Sequence, residues 1–342
     1  MSSKDFQGRQ LTMRPIELSE IAARHRLRLV GEDRPITTMN YLDSPAALRD
    51  QQLTYAVTGE FVQGFLASGI AACILPARLA KDVPNGFSVL VTDEDPEDVF
   101  FGIFAGFAET GAWQEGVQPS RGNGIRIAPT AVIHDRVEIG DDCRIMDHAV
   151  ILPNTRLGNR VVVKPNAVIG ADGFEVRRID GRRRNVPHVG GVWIEDDVEV
   201  GSSTCVDRGL FGEFTYVGAE TKIDSLVYVA HRVVVGRCCV IIGCSELSGG
   251  VVLGDGVWVS PSSAIQPRLT LGDYCFLGTG SVVSRSVPRH ALAYGCPAKV
   301  HGWVCSCRTK LSFVHDRARC ERCGAEYIHS GGMVTRVSES AA

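Results

Sequence analysis

An aliphatic residue recurs at every sixth position through the middle of the chain, and this spacing limits the possible fold more than any other feature of the sequence. The repeat begins at Ile127 and continues without a slip to Ile169. It resumes over 194–206 and again over 217–283, after two interruptions. A short fixed period is typical of a solenoid, in which each repeat buries its apolar residue only by stacking on its neighbours.

The repeating unit is a hexapeptide, as in IGDDCR (139–144) and LGDYCF (271–276). Three units make one triangular coil, so residues 127–283 are expected to form roughly eight coils of about 18 residues each, within a β-helix domain over 125–287. Every first-position residue then points to the axis. Hexapeptide repeats of this kind are known to form left-handed β-helices, a hand that the period itself does not fix. The predicted fold class is mainly β, with a left-handed parallel β-helix at its centre.

Residues 1–110 have a different pattern and predict a small α/β domain. Apolar residues at helical spacing occur in 16–26 and 97–109, and four short strands are predicted at LRLV, LTYAV, AACIL and SVLVT. The Gly- and Ser-containing stretch 111–124 is expected to be the linker to the first coil.

Composition indicates a soluble protein. The 342-residue chain is 44% hydrophobic, which is enough for a large core. No run of eighteen apolar residues predicts a transmembrane segment, and the first ten residues lack the apolar stretch of a signal peptide, so a cytoplasmic location is expected. A formal charge of −3 does not favour nucleic acid as a partner.

Four cysteines form the strongest chemical motif. Cys305 and Cys307 are followed, after twelve residues, by Cys320 and Cys323, on a segment too short for a core of its own. This spacing predicts a structural zinc ribbon over 305–328, with no ligand position left for a catalytic water. Disulfides, free thiols and a ribbon that binds nucleic acid or a partner protein are the alternatives. Residues 288–304 are expected to be an exit segment from the β-helix, and 329–342 a tail.

Four motifs of the β-helix resemble those of the lipid A pathway's UDP-3-O-acylglucosamine N-acyltransferases. They are VIGADGF (168–174), VPHVG (186–190), CVDRG (205–209) and KIDSLVYVAHRVVVG (222–236). The N-terminal segment Tyr55-x-x-Thr58-x-x-Phe61 is similar to that family's uracil-binding segment. The resemblance implies that Tyr55 and Phe61 stack on a uracil or thymine base while Thr58 hydrogen-bonds its edge.

The C-terminal part departs from that family, whose members end in helices that help to engage acyl carrier protein. Here Gly295-Cys296-Pro297-Ala298-Lys299 resembles the exit segment of hexapeptide-repeat acetyltransferases that use coenzyme A. The three-part layout is similar to that of N-acyltransferases acting on dTDP-4-amino-4,6-dideoxyglucose. These resemblances imply a coenzyme A donor, with Arg268, Lys299 and Arg183 as candidate contacts, the last from an arginine-rich loop suited to phosphate.

Transfer of an acyl group from a thioester to an amine needs a base and hydrogen-bond donors for the oxyanion. The resemblance implies that His231 is the base and Asp224 its orienting partner. Because His231 is the third residue of its hexapeptide, it is expected to project outward. The family likeness also implies a homotrimer with its clefts between subunits. Asp207, Arg208 and His188, in or beside the two interruptions, are candidate substrate contacts.

The sequence therefore predicts an N-acyltransferase that moves an acyl group from acyl-CoA to the amine of a UDP- or dTDP-linked amino sugar. The alternatives are an acyl-carrier-protein-dependent enzyme of the lipid A type, a β-helix metalloenzyme like the γ-type carbonic anhydrases, and a nucleotide-sugar-binding scaffold without catalysis. The sequence leaves open which sugar and carbon bear the amine, the length of the acyl chain and the pathway.

Overall fold

The computed structural model describes residues 11–44, 48–113, 116–179 and 181–337, and it divides into two compact units. The N-terminal unit runs to Gly116 and also contains two segments from the middle of the chain, Asp172–Gly190 and Gly209–Glu213. The β-helix unit contains the remainder. The fold class is the predicted one, mainly β and centred on a left-handed parallel β-helix.

Three ladders of short parallel strands form the faces of the β-helix. The first face contains Ser120–Arg121, Val137–Ile139, Thr155–Leu157, Gly191–Ile194, Phe214–Val217, Val234–Val235, Val252–Leu253 and Thr270–Leu271. The second contains Arg126–Ile127, Arg144–Ile145, Val162–Val163, Glu199–Val200, Lys222–Ile223, Val240–Ile241, Trp258–Val259 and Phe276–Leu277. The third contains Val132–Ile133, Val150–Ile151, Val168–Ala171, Cys205–Asp207, Tyr228–Val229, Glu246–Leu247, Ala264–Ile265 and Val282–Val283.

The hexapeptide spacing sets the register of these ladders. Ile145 pairs with Val163 and Ile223 with Ile241, each 18 positions apart, so equivalent residues stack from coil to coil. From the second coil onward, the first-position side chains are buried in one continuous core. Fourth-position residues such as Asp142 and Asn154 take positive φ at the corners, a conformation that Asn, Asp and Gly adopt at least cost.

We expect Ile241→Ala to lower the free energy of unfolding by about 2–5 kcal/mol, because its fully buried side chain would leave a cavity in the core. The matched control is Ile242→Ala, at a neighbouring outward and half-buried position, and it should lower the free energy of unfolding clearly less. Urea unfolding followed by circular dichroism measures both variants. Equal losses would contradict the assignment of inward and outward positions.

Both predicted interruptions are confirmed as segments that leave the β-helix. Leu157 pairs with Ile194, 37 positions on instead of 18, which accommodates the 19 residues of Asp172–Gly190. Ile194 pairs with Val217, 23 positions on, which accommodates the five residues of Gly209–Glu213.

The N-terminal unit is a five-stranded sheet with helices on both faces. Its strand order is Arg28–Val30, Ser88–Thr92, Ala72–Pro76, Gln52–Tyr55 and Thr38–Met39, with the first strand antiparallel to its neighbour and the others parallel. Helices α1 (Leu18–His25) and α4 (Pro96–Glu109) pack on one face, and α2 (Gly59–Ser68) and α3 (Ala77–Ala80) on the other. A 3₁₀ turn at Arg49–Gln51 and a two-stranded sheet of Ile16–Glu17 and Pro35–Ile36 complete it.

The two mid-chain segments contribute to the core of the N-terminal unit. Ile179 and Val186 from the first segment, and Phe211 from the second, are buried with α1 and α4. The Phe211 ring centroid lies 5.0 Å from those of Tyr41 and Phe104. The unit is therefore discontinuous in sequence, and the predicted boundary at residue 110 is corrected accordingly.

Three other predicted boundaries also shift. Ser120–Arg121 pairs with Glu138–Ile139, so the C-terminal half of the predicted linker 111–124 already belongs to the β-helix. The predicted exit segment is a hairpin of Ala291–Gly295 and Ala298–Val304, and Lys310–Leu311 adds to the same sheet, which continues the second face into the predicted ribbon. A sheet of Arg317–Arg319, Glu326–Ser330 and Met333–Arg336 extends the C-terminal module past the predicted limit at 328. None of the described helices is long and apolar enough to cross a membrane.

Candidate active site and metal centre

His231 lies at the corner of the β-helix that follows the third face. Third-position residues follow one another there in the order Ala171, Arg208, His231 and Gly249. The strands before the last three pair in register, whereas a register shift after Ile169 places Ala171 opposite Asp207. We call these four residues the 231 corner. The backbone N–H of Arg208 donates to Ala171 O at 2.9 Å, and Gly250 N–H donates to His231 O at 3.0 Å. Both mid-chain segments leave the coil at this corner, directly after Ala171 and Arg208.

The imidazole of His231 packs on the bare backbone of Gly249, one coil further on. A Cβ atom at Gly249 would lie 2.8 Å from His231 Nε2 and 2.9 Å from Cε1. The side chain of His231 is largely buried, with 9% of its surface exposed. Sequence reasoning did not identify Gly249, although its position 18 residues after His231 was the available signal.

Gly249→Ala is therefore expected to displace the imidazole without straining the backbone, since φ at this position lies outside the left-handed region. For the predicted role of His231 as the base, a misplacement of about 1 Å would cost about 100-fold in rate, so we expect a fall in kcat of that order. Steady-state kinetics would measure it. Gly302→Ala is the control, because its new Cβ meets no atom closer than 3.7 Å. A Gly249→Ala enzyme as fast as the control would contradict the steric role.

The structure does not bring Asp224 and His231 together within one chain. Asp224 follows the second face and is exposed, and its Oδ2 accepts a hydrogen bond from Gly243 N–H at 3.1 Å. His231 follows the third face, at the other end of the side that contains Tyr228–Val229. The predicted orienting role of Asp224 is thus not met by the geometry of a single chain.

Asp207, a predicted substrate contact, is buried in the framework of the corner. Tyr228 donates its hydroxyl hydrogen to Asp207 Oδ2 at 2.5 Å, and Cys205 Sγ lies 3.4 Å from Asp207 Oδ1. Burial, with the Asp207 carboxylate beside it, raises the pKa of the Cys205 thiol to about 12. Burial and the hydrogen bond to Asp207 likewise raise the pKa of Tyr228. Only 2% of Asp207 is exposed, which favours a supporting role over direct contact with a sugar.

The other predicted contacts lie on several elements. Arg208 is half-buried, and its Nε donates to Gly170 O at 2.7 Å. Arg268 is exposed at a fourth position beside the 231 corner, and its Cγ would lie 3.5 Å from a Cβ placed on Gly250. Lys299 is exposed on the exit hairpin. Arg183 lies on a hairpin of the N-terminal unit, where His188 is buried with Nδ1 2.9 Å from Val186 O.

The predicted base-binding residues follow the carboxyl end of a parallel strand, where ligands of α/β sheets commonly bind. Tyr55 ends the strand Gln52–Tyr55, its hydroxyl donates to Glu97 Oε1 at 2.7 Å, and its ring packs against Phe100 at 5.0 Å. Burial, with the Glu97 hydrogen bond, raises its pKa. Thr58 is the N-cap of α2, where Oγ1 accepts from the Phe61 N–H at 3.5 Å. The Phe61 side chain is 49% exposed.

The four predicted metal ligands converge. The Sγ atoms of Cys305, Cys307, Cys320 and Cys323 all lie within 4.8 Å of one another. Two of the S···S distances are 3.4 and 3.5 Å, near the roughly 3.8 Å expected around a tetrahedral zinc with Zn–S bonds of about 2.3 Å. None of these cysteines is in a disulfide. Although burial opposes it, hydrogen bonding from Thr309 and Cys305 lowers the pKa of Cys307 to about 6. The donor set and its spacing fit Zn²⁺.

Contacts anchor this cysteine cluster to the last coils of the β-helix. The Tyr327 hydroxyl lies 3.1 Å from Cys305 Sγ and accepts from the Ser306 N–H at 3.1 Å. The buried His290 ring lies between Tyr274 and Tyr327, at centroid distances of 5.2 and 5.1 Å. Arg308 places its guanidinium 4.1 Å from the Trp258 ring centroid. The cluster therefore belongs to the same unit as the 231 corner.

Comparison with known proteins identifies the family of the chain. The model of the bacterial transferase hexapeptide family (six repeats) matches residues 136–171. The chain is 32% identical over 326 residues to the UDP-3-O-acylglucosamine N-acyltransferase of Methylobacterium sp. (strain 4-46), covering 84% of this chain and 91% of that protein. The protein of the same name from Methylorubrum extorquens (strain PA1) is 42% identical over 153 residues, 44% of this chain and 43% of the relative.

Among solved structures, the UDP-N-acetylglucosamine acyltransferase of Bacteroides fragilis 9343 is 25% identical and has a TM-score of 0.44, over 52% of this chain and 72% of that one. Fold and repeat define the chain as a hexapeptide-repeat transferase. Within that class it belongs to the UDP-3-O-acylglucosamine N-acyltransferase family, as the alignment over 84% of its length shows. With several other relatives, the matched part of the chain spans less than half of their length.

Proposed function

We propose that this protein transfers an acyl group from acyl carrier protein to the amine of a UDP-linked amino sugar of the 3-O-acylglucosamine type, with His231 as general base. The observation that carries the proposal is the imidazole packed on the bare backbone of Gly249, in a chain of this family. The packing holds the ring in one position, which a base must keep while it accepts a proton.

The proposed reaction is direct. The neutral amine attacks the thioester carbonyl carbon, and His231 accepts the amine proton as the C–N bond forms. Backbone N–H groups of the 231 corner are the proposed donors to the oxyanion of the tetrahedral intermediate. Its collapse breaks the C–S bond, and the departing thiolate takes the proton back from the imidazolium. No residue is acylated in this scheme.

Family membership favours UDP over dTDP, because the relatives are named for a UDP-linked sugar. It likewise favours the lipid A type alternative, with a carrier-protein donor, over the coenzyme A interpretation drawn from the exit segment. Tyr55 and Phe61 are the proposed contacts for the base. Thr58 is the proposed hydrogen-bond partner for the edge of the base, because its N-cap contact uses the hydroxyl only as an acceptor.

A homotrimer is part of the proposal. The outward residues of the third face are apolar on both sides of the 231 corner, namely Val132, Val150 and Val168 before it and Ala264 and Val282 after it, with Cys205, Tyr228 and Glu246 between them. Leu226, at the corner before this face, is 59% exposed at a positive φ, an unfavourable site for a leucine that faces only water. Packing of this face against another copy would bury both features. Structural zinc in the cysteine cluster completes the proposed assembly.

The proposed function is tested by steady-state kinetics with two donors and two acceptors. Acyl carrier protein and coenzyme A carry the same acyl chain, and UDP- and dTDP-linked amino sugars accept it. We expect the highest kcat/KM for the carrier-protein and UDP pair. A preference for the coenzyme A and dTDP pair would overturn the substrate assignment, and transfer with no pair would overturn the activity.

A further inference from the structure

An arginine-rich hairpin in the first mid-chain segment contains charge that the proposed mechanism does not use. Strand Val176–Ile179 pairs antiparallel with Arg182–Asn185, and five of the residues in 176–185 are arginines. One face of the hairpin packs on the N-terminal unit, because Ile179 is buried there and the Arg177 guanidinium lies 5.0 Å from the Phe101 ring centroid. The hairpin therefore has an inner face that packs on the rest of the unit and an outer face that is exposed.

Two arginines of the inner face are neutralised by carboxylates. Arg177 forms ion pairs with Glu175 at 2.7 Å and Glu97 at 3.4 Å. Arg184 pairs with Glu109 at 2.7 Å. These contacts fix the hairpin to α4 and account for the two residues in structural terms.

The outer face places two arginines directly opposite each other. Arg178 is the cross-strand partner of Arg183, and both are exposed. Like charges at such positions destabilise a pair of strands. Neither residue forms an ion pair with a carboxylate that the structure describes. Burial and the neighbouring Asp95 raise the pKa of Asp98, and Arg178 acts against this rise. Asp98 and Arg178 do not form an ion pair.

A cavity of about 610 Å³ lies at this pair, lined by Val176, Arg177, Arg178, Gly181 and Arg183. Its volume is within the range of small-molecule sites, about 300–1,000 Å³. A partly open concavity of this size fits a small ligand better than it fits the flat surface of a protein partner. Beside Arg177, whose charge Glu175 and Glu97 neutralise, the lining contains the guanidinium groups of Arg178 and Arg183, so the complementary ligand is an anion.

We propose that Arg178 and Arg183 bind a phosphate ester in this cavity. Guanidinium groups donate two parallel hydrogen bonds to phosphate oxygens, and an anion between two opposed arginines offsets the repulsion between their charges. Two substrates of the proposed reaction contain such a group: the diphosphate of the nucleotide sugar and the phosphate of the pantetheine arm. The choice of these two ligands rests on the proposed function, whereas the phosphate site itself does not.

Calorimetric titration of the full chain with UDP and, separately, with coenzyme A tests the site. We expect Arg178→Gln and Arg183→Gln each to weaken the binding of one probe by about tenfold or more, which is the worth of a hydrogen bond to a charged group. Arg182→Gln is the matched control, since it removes the same charge from the same exposed strand without lining the cavity. Its Kd should stay within about twofold of the wild-type value, because an exposed charge of this kind contributes little.

The probe that weakens identifies the source: UDP for the sugar diphosphate, coenzyme A for the pantetheine phosphate. An equal loss in Arg182→Gln would overturn the site in favour of a general charge effect, and unchanged Kd values in both cavity variants would overturn it outright. Acyl transfer followed by mass spectrometry separates this result from the proposed function. If the wild-type protein transfers the acyl group and the cavity variants have an unchanged KM, the phosphate site is overturned and the proposed function stands. If the probes bind but no acyl group is transferred, the proposed function is overturned and the site stands.

Discussion

Replacing His231 with alanine is expected to lower kcat by about 10²–10⁴-fold, the contribution of a positioned general base. The side chain packs on Gly249 at the surface of the coil and is not part of the aliphatic core, so the fold should persist. Steady-state kinetics on the assembled protein measures the loss. His134→Ala is the matched control, because it removes an exposed histidine of the same β-helix and should leave kcat unchanged.

The assignment fails if His231→Ala retains more than about a tenth of the wild-type rate, since a catalytic base contributes far more than that. Circular dichroism and the oligomeric state must match wild type for the comparison to count. A loss in His134→Ala as large as that in His231→Ala would also contradict the assignment, because the effect would then come from the fold.

Removal of zinc is expected to unfold the C-terminal module from Cys305 onward while the β-helix stays folded. The module has few fully buried residues of its own, and Cys305 and Cys320 are among them. Binding free energy at such a site is folding free energy, about 10–16 kcal/mol for structural zinc at neutral pH. Hydrogen exchange over 305–336, with and without a chelator, measures the effect. Arg308 should then leave Trp258, which changes the fluorescence of that tryptophan.

Cys320→Ser should reproduce the effect of the chelator and reduce the metal content from one zinc per chain to none. Cys296→Ser is the control, since this exposed cysteine lies outside the cluster. Full protection of 305–336 in the metal-free protein would contradict the zinc-dependent fold. So would an unchanged metal content in Cys320→Ser.

The β-helix could be predicted in detail because one repeated position of the hexapeptide determines which strands pair. An inward residue every sixth place fixes which strands pair, and the places where the spacing fails mark the segments that leave the coil. Where those two segments pack after they leave the coil could not be predicted from any such pattern. Ile179 and Phe211 are apolar residues in loops, and nothing in their local pattern says that they complete the core of the N-terminal unit.

The candidate site was predicted in part for a related reason. His231 follows from its motif, and its outward direction follows from its third position. Asp224 was paired with it by sequence spacing, but in a β-helix the intervening residues form one whole side, which places the two residues at successive corners. Gly249 was missed because its role is the absence of a side chain beside a residue of the previous coil.

The most direct test of the account is the chemistry of the acylated product. Wild-type protein is incubated with acyl carrier protein loaded with one defined acyl chain and with a UDP-linked amino sugar of the 3-O-acylglucosamine type, and the sugar is analysed by fragmentation mass spectrometry without alkali treatment. The account predicts one added acyl group, held as an amide on the amine, and its absence with His231→Ala. An added acyl group on a hydroxyl, or an unmodified sugar, would contradict it.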